Sequence, residues 1–411
     1  MTTTKEKVIL VAVQKDQDDL DFEYALKEME QLVETAQGQV VGTLTQKRER
    51  LDGRTVIGKG KVQELAILVE ELEPDLIIFY QSLTGAVARN LQEEISVRII
   101  DRVQLILDIF AMRAKSKEGK LQVQLAQLNY LLPRLSGQYA SLSRLGGGIG
   151  TRGPGETKLE SDRRHIRNQI HDIEAQLKEI EDHRLRAREK RQKGYSFQFG
   201  LIGYTNAGKS TTINQLTDAD TFEEDQLFAT LDPLTRKMDI SQPFEVTVTD
   251  TVGFIQDLPT TLIHAFKSTL EESKSVDMLI HLVDASDPHF LAHEKTVLHL
   301  LEDLGMEKIP RITVYNKMDL APANFQPNEY PNIKISALNP QDIERLKDFM
   351  LTEMKEVMFP FHLKLESYQS HELYQLQHQA YIEKMDFNED NNTYQVSGYS
   401  KRDFSKKLEE D

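Results

Sequence analysis

An alternating apolar run from Phe197 to Ile202 leads into Gly203-Tyr204-Thr205-Asn206-Ala207-Gly208-Lys209-Ser210, and a helical pattern starts near Thr211. Strand, glycine loop and helix in that order form the context of a phosphate-binding P-loop, so this part of the chain is expected to be α/β. A phosphate chain in such a loop is held by backbone N–H groups. Side chains must then be absent where the backbone wraps it, a need that Gly203 and Gly208 meet. Lys209 reaches the outer phosphates as a point charge, Ser210 can ligate Mg²⁺ through its hydroxyl, and the helix opening at Thr211 adds partial positive charge.

Four further segments follow in the order and spacing that a GTP-hydrolysing domain needs. Asp250-Thr251-Val252-Gly253 ends the strand-like run Phe244 to Thr249. There Asp250 can hold Mg²⁺ through water, and the Gly253 N–H can sense a γ-phosphate. Asn316-Lys317-Met318-Asp319 ends a second apolar run, Arg311 to Tyr315. The Asp319 carboxylate can accept from the ring N–H and exocyclic amine of guanine, whereas adenine offers an acceptor in place of that ring N–H. Ser336-Ala337-Leu338 brings the Ala337 N–H toward the guanine oxygen, and Thr230 lies where a segment could close a threonine onto Mg²⁺ and the γ-phosphate. Lys209, Thr230 and Gly253 are the candidate catalytic groups, and Ser210, Thr230 and Asp250 the candidate metal ligands.

Many small GTPases carry a glutamine directly after the glycine of the Asp-x-x-Gly segment, where it orients the attacking water; here that residue is Phe254. A phenyl ring cannot orient water. Hydrolysis by the isolated chain is therefore expected to be slow, with another group or a partner placing the water.

Charge distribution divides the chain. The 411 residues carry a formal net charge of −16, yet Arg113 to Lys193 contains 18 Lys and Arg against 10 Asp and Glu. A basic middle in an acidic protein suits a directed contact with polyphosphate, or it is a solvated helical face. With no cysteine, disulfides and thiolate metal sites are excluded. No window approaches a membrane span and the N-terminus lacks a signal-peptide core, so a soluble, cytoplasmic, monomeric protein without stable membrane insertion is expected.

The expected fold class is multidomain α/β, in four parts. Residues 1–112 form an N-terminal α/β domain with a largely parallel sheet: strands at Val8–Val13, Val40–Leu44, Leu76–Tyr80 and Val97–Ile100, helices at Asp18–Ala36, Lys61–Leu72 and Leu83–Glu94. Residues 113–193 form a basic helical hairpin. Its first helix, Lys120–Leu135, has an apolar face of Leu121, Leu125, Leu128, Leu131 and Leu132; its second, Thr157 to about Arg191, has a stripe of Ile166, Ile170, Ile173, Leu177 and Ile180. Residues 194–356 form the P-loop domain. Residues 357–411 form a small C-terminal α/β domain with strands at Phe361–Leu365 and Tyr394–Ser397 around a helix at Ser370–Lys384.

Between the two hairpin helices, Arg144 to Gly155 holds six glycines and two arginines, Arg144 and Arg152. Such a segment is not expected to hold a fixed shape unaided. It suits closure of its backbone onto RNA phosphates. Ile57-Gly58-Lys59-Gly60-Lys61, opening a helix in the first domain, is either an exposed turn or a second phosphate site.

Several blocks narrow the class. Gly153-Pro154-Gly155-Glu156-Thr157-Lys158-Leu159-Glu160 with Asp162-Arg163-Arg164, the run Gln124 to Arg134, Thr55 to Lys61 and Asp225 to Pro233 resemble the signatures of HflX proteins, in the Obg-HflX superfamily. Phe254 is similar too, since these GTPases carry a hydrophobic residue there; Leu234, where threonine is frequent, departs. The resemblance implies a factor that uses GTP and Mg²⁺, binds the large ribosomal subunit, and splits stalled or idle ribosomes in recovery from stress. It implies ribosomal RNA rather than DNA as the nucleic-acid partner, with Arg144, Gly146, Gly147, Gly148 and Arg152 touching it. Two other readings stand beside this one: a GTP-regulated RNA-binding assembly factor, and an enzyme that also uses ATP to remodel RNA.

Overall fold

A computed structural model describes residues 5–15, 19–135, 154–192, 195–217, 227–228, 234–250, 253–255 and 274–404. The chain divides into two compact units, with the boundary between Glu179 and Ile180.

In the first unit, strands β1 (Glu6–Gln14), β2 (Gly38–Lys47), β3 (Leu76–Phe79) and β4 (Arg98–Asp101) make a parallel sheet in the order β2-β1-β3-β4. Residues Val8 to Gln14 of β1 are all buried, which is why the strand reads as an unbroken apolar run. Helices α1 (Asp19–Thr35), α2 (Lys59–Leu72) and α3 (Gly85–Glu94) alternate with the strands. A further helix, α4 (Arg102–Arg113), follows β4 directly. The sequence marks it weakly, because Val103, Leu105, Ile106, Leu107, Ile109 and Phe110 are all buried and only Gln104 and Asp108, one turn apart, break the apolar run with polar side chains.

Asp101 starts α4 by accepting from the Gln104 N–H, and it also accepts from the Leu83 N–H, the Tyr130 hydroxyl and Arg134. That carboxylate therefore ties the end of helix α5 (Lys117–Leu131) back to the sheet. The buried face of α5 is Gly119, Gln122, Val123 and Ala126; the expected leucine face is only half-buried at Leu121, Leu125, Leu128 and Leu132 and exposed at Leu131. Helix α5 has fifteen residues and begins three residues before, and ends four residues short of, the helix expected over Lys120–Leu135. Helix α6 (Pro154–Gln192) is long, with Ile166 and Ile173 buried and Ile170, Leu177 and Ile180 half-buried, as the stripe requires.

In the second unit a six-stranded sheet runs β10-β9-β8-β5-β7-β6. Its strands are β5 (Phe197–Gly203), β6 (Leu234–Met238), β7 (Val246–Asp250), β8 (Met278–Asp284), β9 (Arg311–Asn316) and β10 (Asn332–Lys334). Only the β6 edge is antiparallel. Helices α7 (Lys209–Thr217), α8 (Phe290–Asp303) and α9 (Pro340–Glu356) accompany it, and Phe199, Leu201, Val246, Val248, Ile280, Leu282, Ile312 and Val314 fill the core. The carboxyl ends of parallel strands are where such sheets bind ligands.

A second, antiparallel sheet belongs to the same unit: β11 (Phe359–Glu366), β13 (Thr393–Ser400) and β12 (Tyr381–Asn388), in that order, with helix α10 (Ser370–Gln379). The helix expected as far as Lys384 stops at Gln379, and residues 381 to 384 belong to β12. Glu383 and Lys384 favour a helix locally, but pairing with β13 decides. At an irregularity in β12 the Gln242 carboxamide donates to the Ile382 carbonyl (3.0 Å) and accepts from its N–H (3.1 Å), while Lys401 bonds Asp277 and the Ser196 carbonyl. Among the described residues no helix is long and apolar enough to cross a membrane.

Arg102 of α4 and Glu28 of α1 form a buried ion pair at 2.7 Å. Removing one partner of such a pair strands the other charge. Glu28→Ala is expected to lower the opening free energy of the first unit by about 3–5 kcal/mol. Hydrogen exchange of the β1 amides in the full chain checks it, and the β5 amides should be unaffected.

Candidate functional site

The described motif residues converge on one edge of the six-stranded sheet. The P-loop leaves the end of β5, Asp250 ends β7, Asn316 ends β9, and Ser336 to Leu338 follow β10. Both P-loop glycines are required by the packing around them. A Cβ on Gly203 would strike the Leu282 carbonyl of β8; Gly208 is left-handed (φ +93°) and would strike the Asn316 carboxamide. Asn206 is also left-handed, at φ 60°. Thr205 and Ala207 are buried, and Thr211 lies in the first turn of α7.

Asn316 is the joint between phosphate and base loops. Its Nδ2 donates to the Ala207 carbonyl (2.9 Å) and its Oδ1 accepts from the Ala337 N–H (2.9 Å), with the side chain buried. Beyond it Lys317 is left-handed (φ 59°) and its ammonium pairs with Asp284 at 2.8 Å. Asp319 and Leu338 are exposed, and Ser336 is buried with its N–H on Asp342.

The Lys209 ammonium is buried and donates to the carbonyls of Gly203 (3.0 Å) and Tyr204 (2.7 Å). Burial pushes it down to about 8, with Asp250 pulling the other way. Ser210 Oγ and Asp250 Oδ2 lie 3.5 Å apart at the start of α7. This pair of hard oxygen donors beside the phosphate loop suits Mg²⁺, which would supply charge neutralisation at the phosphate oxygens. Thr230, Thr251 and Val252, together with Arg144, Gly146, Gly147, Gly148 and Arg152, lie outside the described residues.

Gly253 and Phe254 are stitched to the P-loop. Thr205 N–H donates to the Phe254 carbonyl (2.6 Å) and Phe254 N–H to the Gly203 carbonyl (3.1 Å), forming a parallel bridge between Tyr204 and Phe254. A Cβ on Gly253 would come within 3.0 Å of Thr205 and 3.1 Å of the Lys209 ammonium. The Phe254 side chain is only 3% exposed, packed into the protein.

In the first unit, the Thr55 to Lys61 block has local structural work. Asp52 accepts from the N–H groups of Arg54 and Thr55, Gly58 N–H donates to Gln46, and Lys61 pairs with Glu64.

Family profiles match three consecutive stretches: "GTP-binding GTPase N-terminal" over residues 23–111, "GTP-binding GTPase Middle Region" over 113–191 and "50S ribosome-binding GTPase" over 198–317. The chain is 52% identical over 396 residues to the GTPase HflX of Alkalihalophilus pseudofirmus, covering 96% of this chain and 94% of that one. The chain belongs to the HflX GTPase family. It is also 42% identical over 322 residues to the HflX GTPase of Escherichia coli, covering 78% and 75% of the two chains. Among solved structures, a GDP complex of the protein SsGBP shares the fold with a TM-score of 0.51 and 24% identity, over 84% of this chain and 98% of that one. This HflX-family chain is thus a P-loop GTPase whose cofactors are guanine nucleotide and Mg²⁺.

Sequence reasoning missed the supports of this site. Tyr315 hydroxyl donates to Glu294 (2.7 Å) and accepts from the N–H groups of Asn328 (2.8 Å) and Glu329 (2.9 Å); Asp284 holds Lys317. Asp284, Glu294, Tyr315, Asn328 and Glu329 belong to no motif, and only Tyr315, at the end of the apolar run from Arg311, lies in a segment the sequence marks.

Because Lys209 sits near 8 rather than its ordinary 10.5, its charge is lost as pH rises through 8. A bound phosphate chain restores that charge, so above pH 8 binding takes up a proton. GDP affinity is expected to fall about tenfold per pH unit there, while the depressed lysine makes the nucleotide-free fold relatively more stable between 8 and 10.5. Calorimetric titration in two buffers of different ionisation enthalpy, from pH 7 to 9.5, measures both affinity and proton uptake.

Proposed function

We propose that this GTPase acts on the large ribosomal subunit, splitting or recycling stalled and idle ribosomes, and that the ribosome completes its catalytic site. The observation that carries the reading is Phe254. Its ring is packed inside and its backbone is paired to the P-loop, so residue 254 supplies no group to orient the attacking water. The match of residues 198–317 to a 50S ribosome-binding GTPase supports the large subunit as the partner that would supply it.

Within this reading, residues 203 to 211 cradle the phosphates, Lys209 and Gly253 meet the γ-phosphate together with Thr230, and Ser210 and Asp250 hold Mg²⁺. Asn316, Lys317, Asp319 and Ser336 to Leu338 take the guanine. The four-part division at residues 112, 193 and 356 assigns ribosomal RNA to the basic segment 113–193, through Arg144, Gly146 to Gly148 and Arg152. The GTP state favours binding to the subunit, and hydrolysis releases the factor, which works as a cytoplasmic monomer and does not engage DNA.

GTP turnover by the purified chain, alone and with purified large subunits, is the decisive measurement. Stimulation of about a hundredfold or more is expected, in the range that partner-supplied groups give other GTPases. An unchanged rate would remove the ribosome as the completing partner. Separately, Lys209→Ala should abolish nucleotide binding, and Asp319→Asn should cost guanine preference by at least about tenfold. Competition by GTP and ATP for a fluorescent nucleotide reads both.

A further inference from the structure

Helix α8 lies outside every motif that points to the nucleotide, yet two adjacent residues on it reach both halves of the pocket. The His293 imidazole stacks on the Tyr204 ring, with centroids 3.8 Å apart and planes 9° from parallel. Tyr204 is the second P-loop residue, and its carbonyl accepts from the Lys209 ammonium at 2.7 Å. Glu294, the next residue, accepts from the Tyr315 hydroxyl at 2.7 Å, and Tyr315 immediately precedes Asn316. All four side chains are buried.

Consecutive residues on an α-helix point about 100° apart, so one turn can brace two loops. We propose that His293 and Glu294 are positioning residues for guanine-nucleotide binding: His293 clamps the P-loop through Tyr204, Glu294 clamps the base-recognition strand through Tyr315, and α8 couples the two.

The clamp on the phosphate side is a ring pair. Stacked rings fix each other's planes, which an aliphatic side chain of similar volume cannot do. The peptides on either side of Tyr204 are held by the bridge to Phe254 and its carbonyl also accepts from the Ala207 N–H (3.4 Å), so the ring is a further handle on the carbonyl that steers Lys209. Burial holds His293 below its ordinary pKa, against the pull of Asp287 3.8 Å from Nδ1, and the ring stacks uncharged. On the base side, Glu294 also accepts from the Asn328 carboxamide at 2.9 Å, which closes a part-buried network around the Tyr315 hydroxyl. The coupling depends on the nucleotide site alone and holds whichever partner completes catalysis.

The test uses the full chain with His293→Leu, His293→Phe, Tyr204→Leu, the double leucine variant and Glu294→Gln. Dissociation constants for GDP, GTP and inosine triphosphate, KM and kcat for GTP, and thermal midpoints are measured on each. His293→Leu is expected to raise both the GDP dissociation constant and the KM for GTP about fivefold, the worth of one aromatic pair, with kcat and base preference unchanged. His293→Phe should restore both to within about twofold, because the ring is what matters. The double leucine variant should be no worse than either single one, and Glu294→Gln should instead narrow the preference for GTP over inosine triphosphate. Equal affinities for the Leu and Phe variants, with lowered thermal midpoints only, would overturn the proposal and leave His293 as core packing. Strictly additive losses in the double variant would overturn it as well.

Discussion

The carboxamide of Asn316 is the contact on which the pocket depends. One end of it holds the P-loop at Ala207 and the other holds the backbone of Ala337, so three strand ends are fixed by one buried side chain. A buried amide with both ends bonded gains modestly over water. A buried partner left without it loses the full desolvation cost, about 1–3 kcal/mol for each group. The asymmetry explains why the surroundings are fitted so closely to it: Gly208 has no side chain because the Asn316 amide occupies that space. What the sequence presents as two separate motifs is one hydrogen-bonded object.

The same principle extends outward. Asn316 is set by Tyr315, whose hydroxyl gathers two backbone N–H groups and a carboxylate; Lys317 is set by Asp284. These supports stand on elements with no phosphate or base chemistry of their own. The site is therefore a thin layer of recognition groups over a buried polar frame, and the frame confers the geometry.

The loops were legible because their chemistry demands particular residue types at particular spacings. The parallel strands were legible because burial on both faces leaves unbroken apolar runs such as Val8 to Val13. What stayed hidden follows from the same physics. Helix α4 is marked only by a narrow stripe, with Gln104 and Asp108 as its polar side chains; the leucines of α5 turn only partly inward while Gln122, Val123 and Ala126 make its core contact. Glu383 and Lys384 are helix-forming side chains but lie in strand because pairing with β13 decides. Asn316 reads in the sequence as part of the base loop, and nothing local announces that its carboxamide also bonds Ala207 and Ala337. Long-range pairing of this kind has no periodicity to read.

The bridge between Tyr204 and Phe254 carries a consequence for how the pocket can move. Two peptide hydrogen bonds make the strip at Gly253 and Phe254 a continuation of the P-loop strip. Any displacement at residues 253–255 is then felt at the Tyr204 carbonyl, one of the two oxygens on which the Lys209 ammonium rests. The two ends of the pocket share one piece of backbone: a shift of the Phe254 peptide is passed directly to the two carbonyls on which the Lys209 ammonium rests, so neither strip can move without the other.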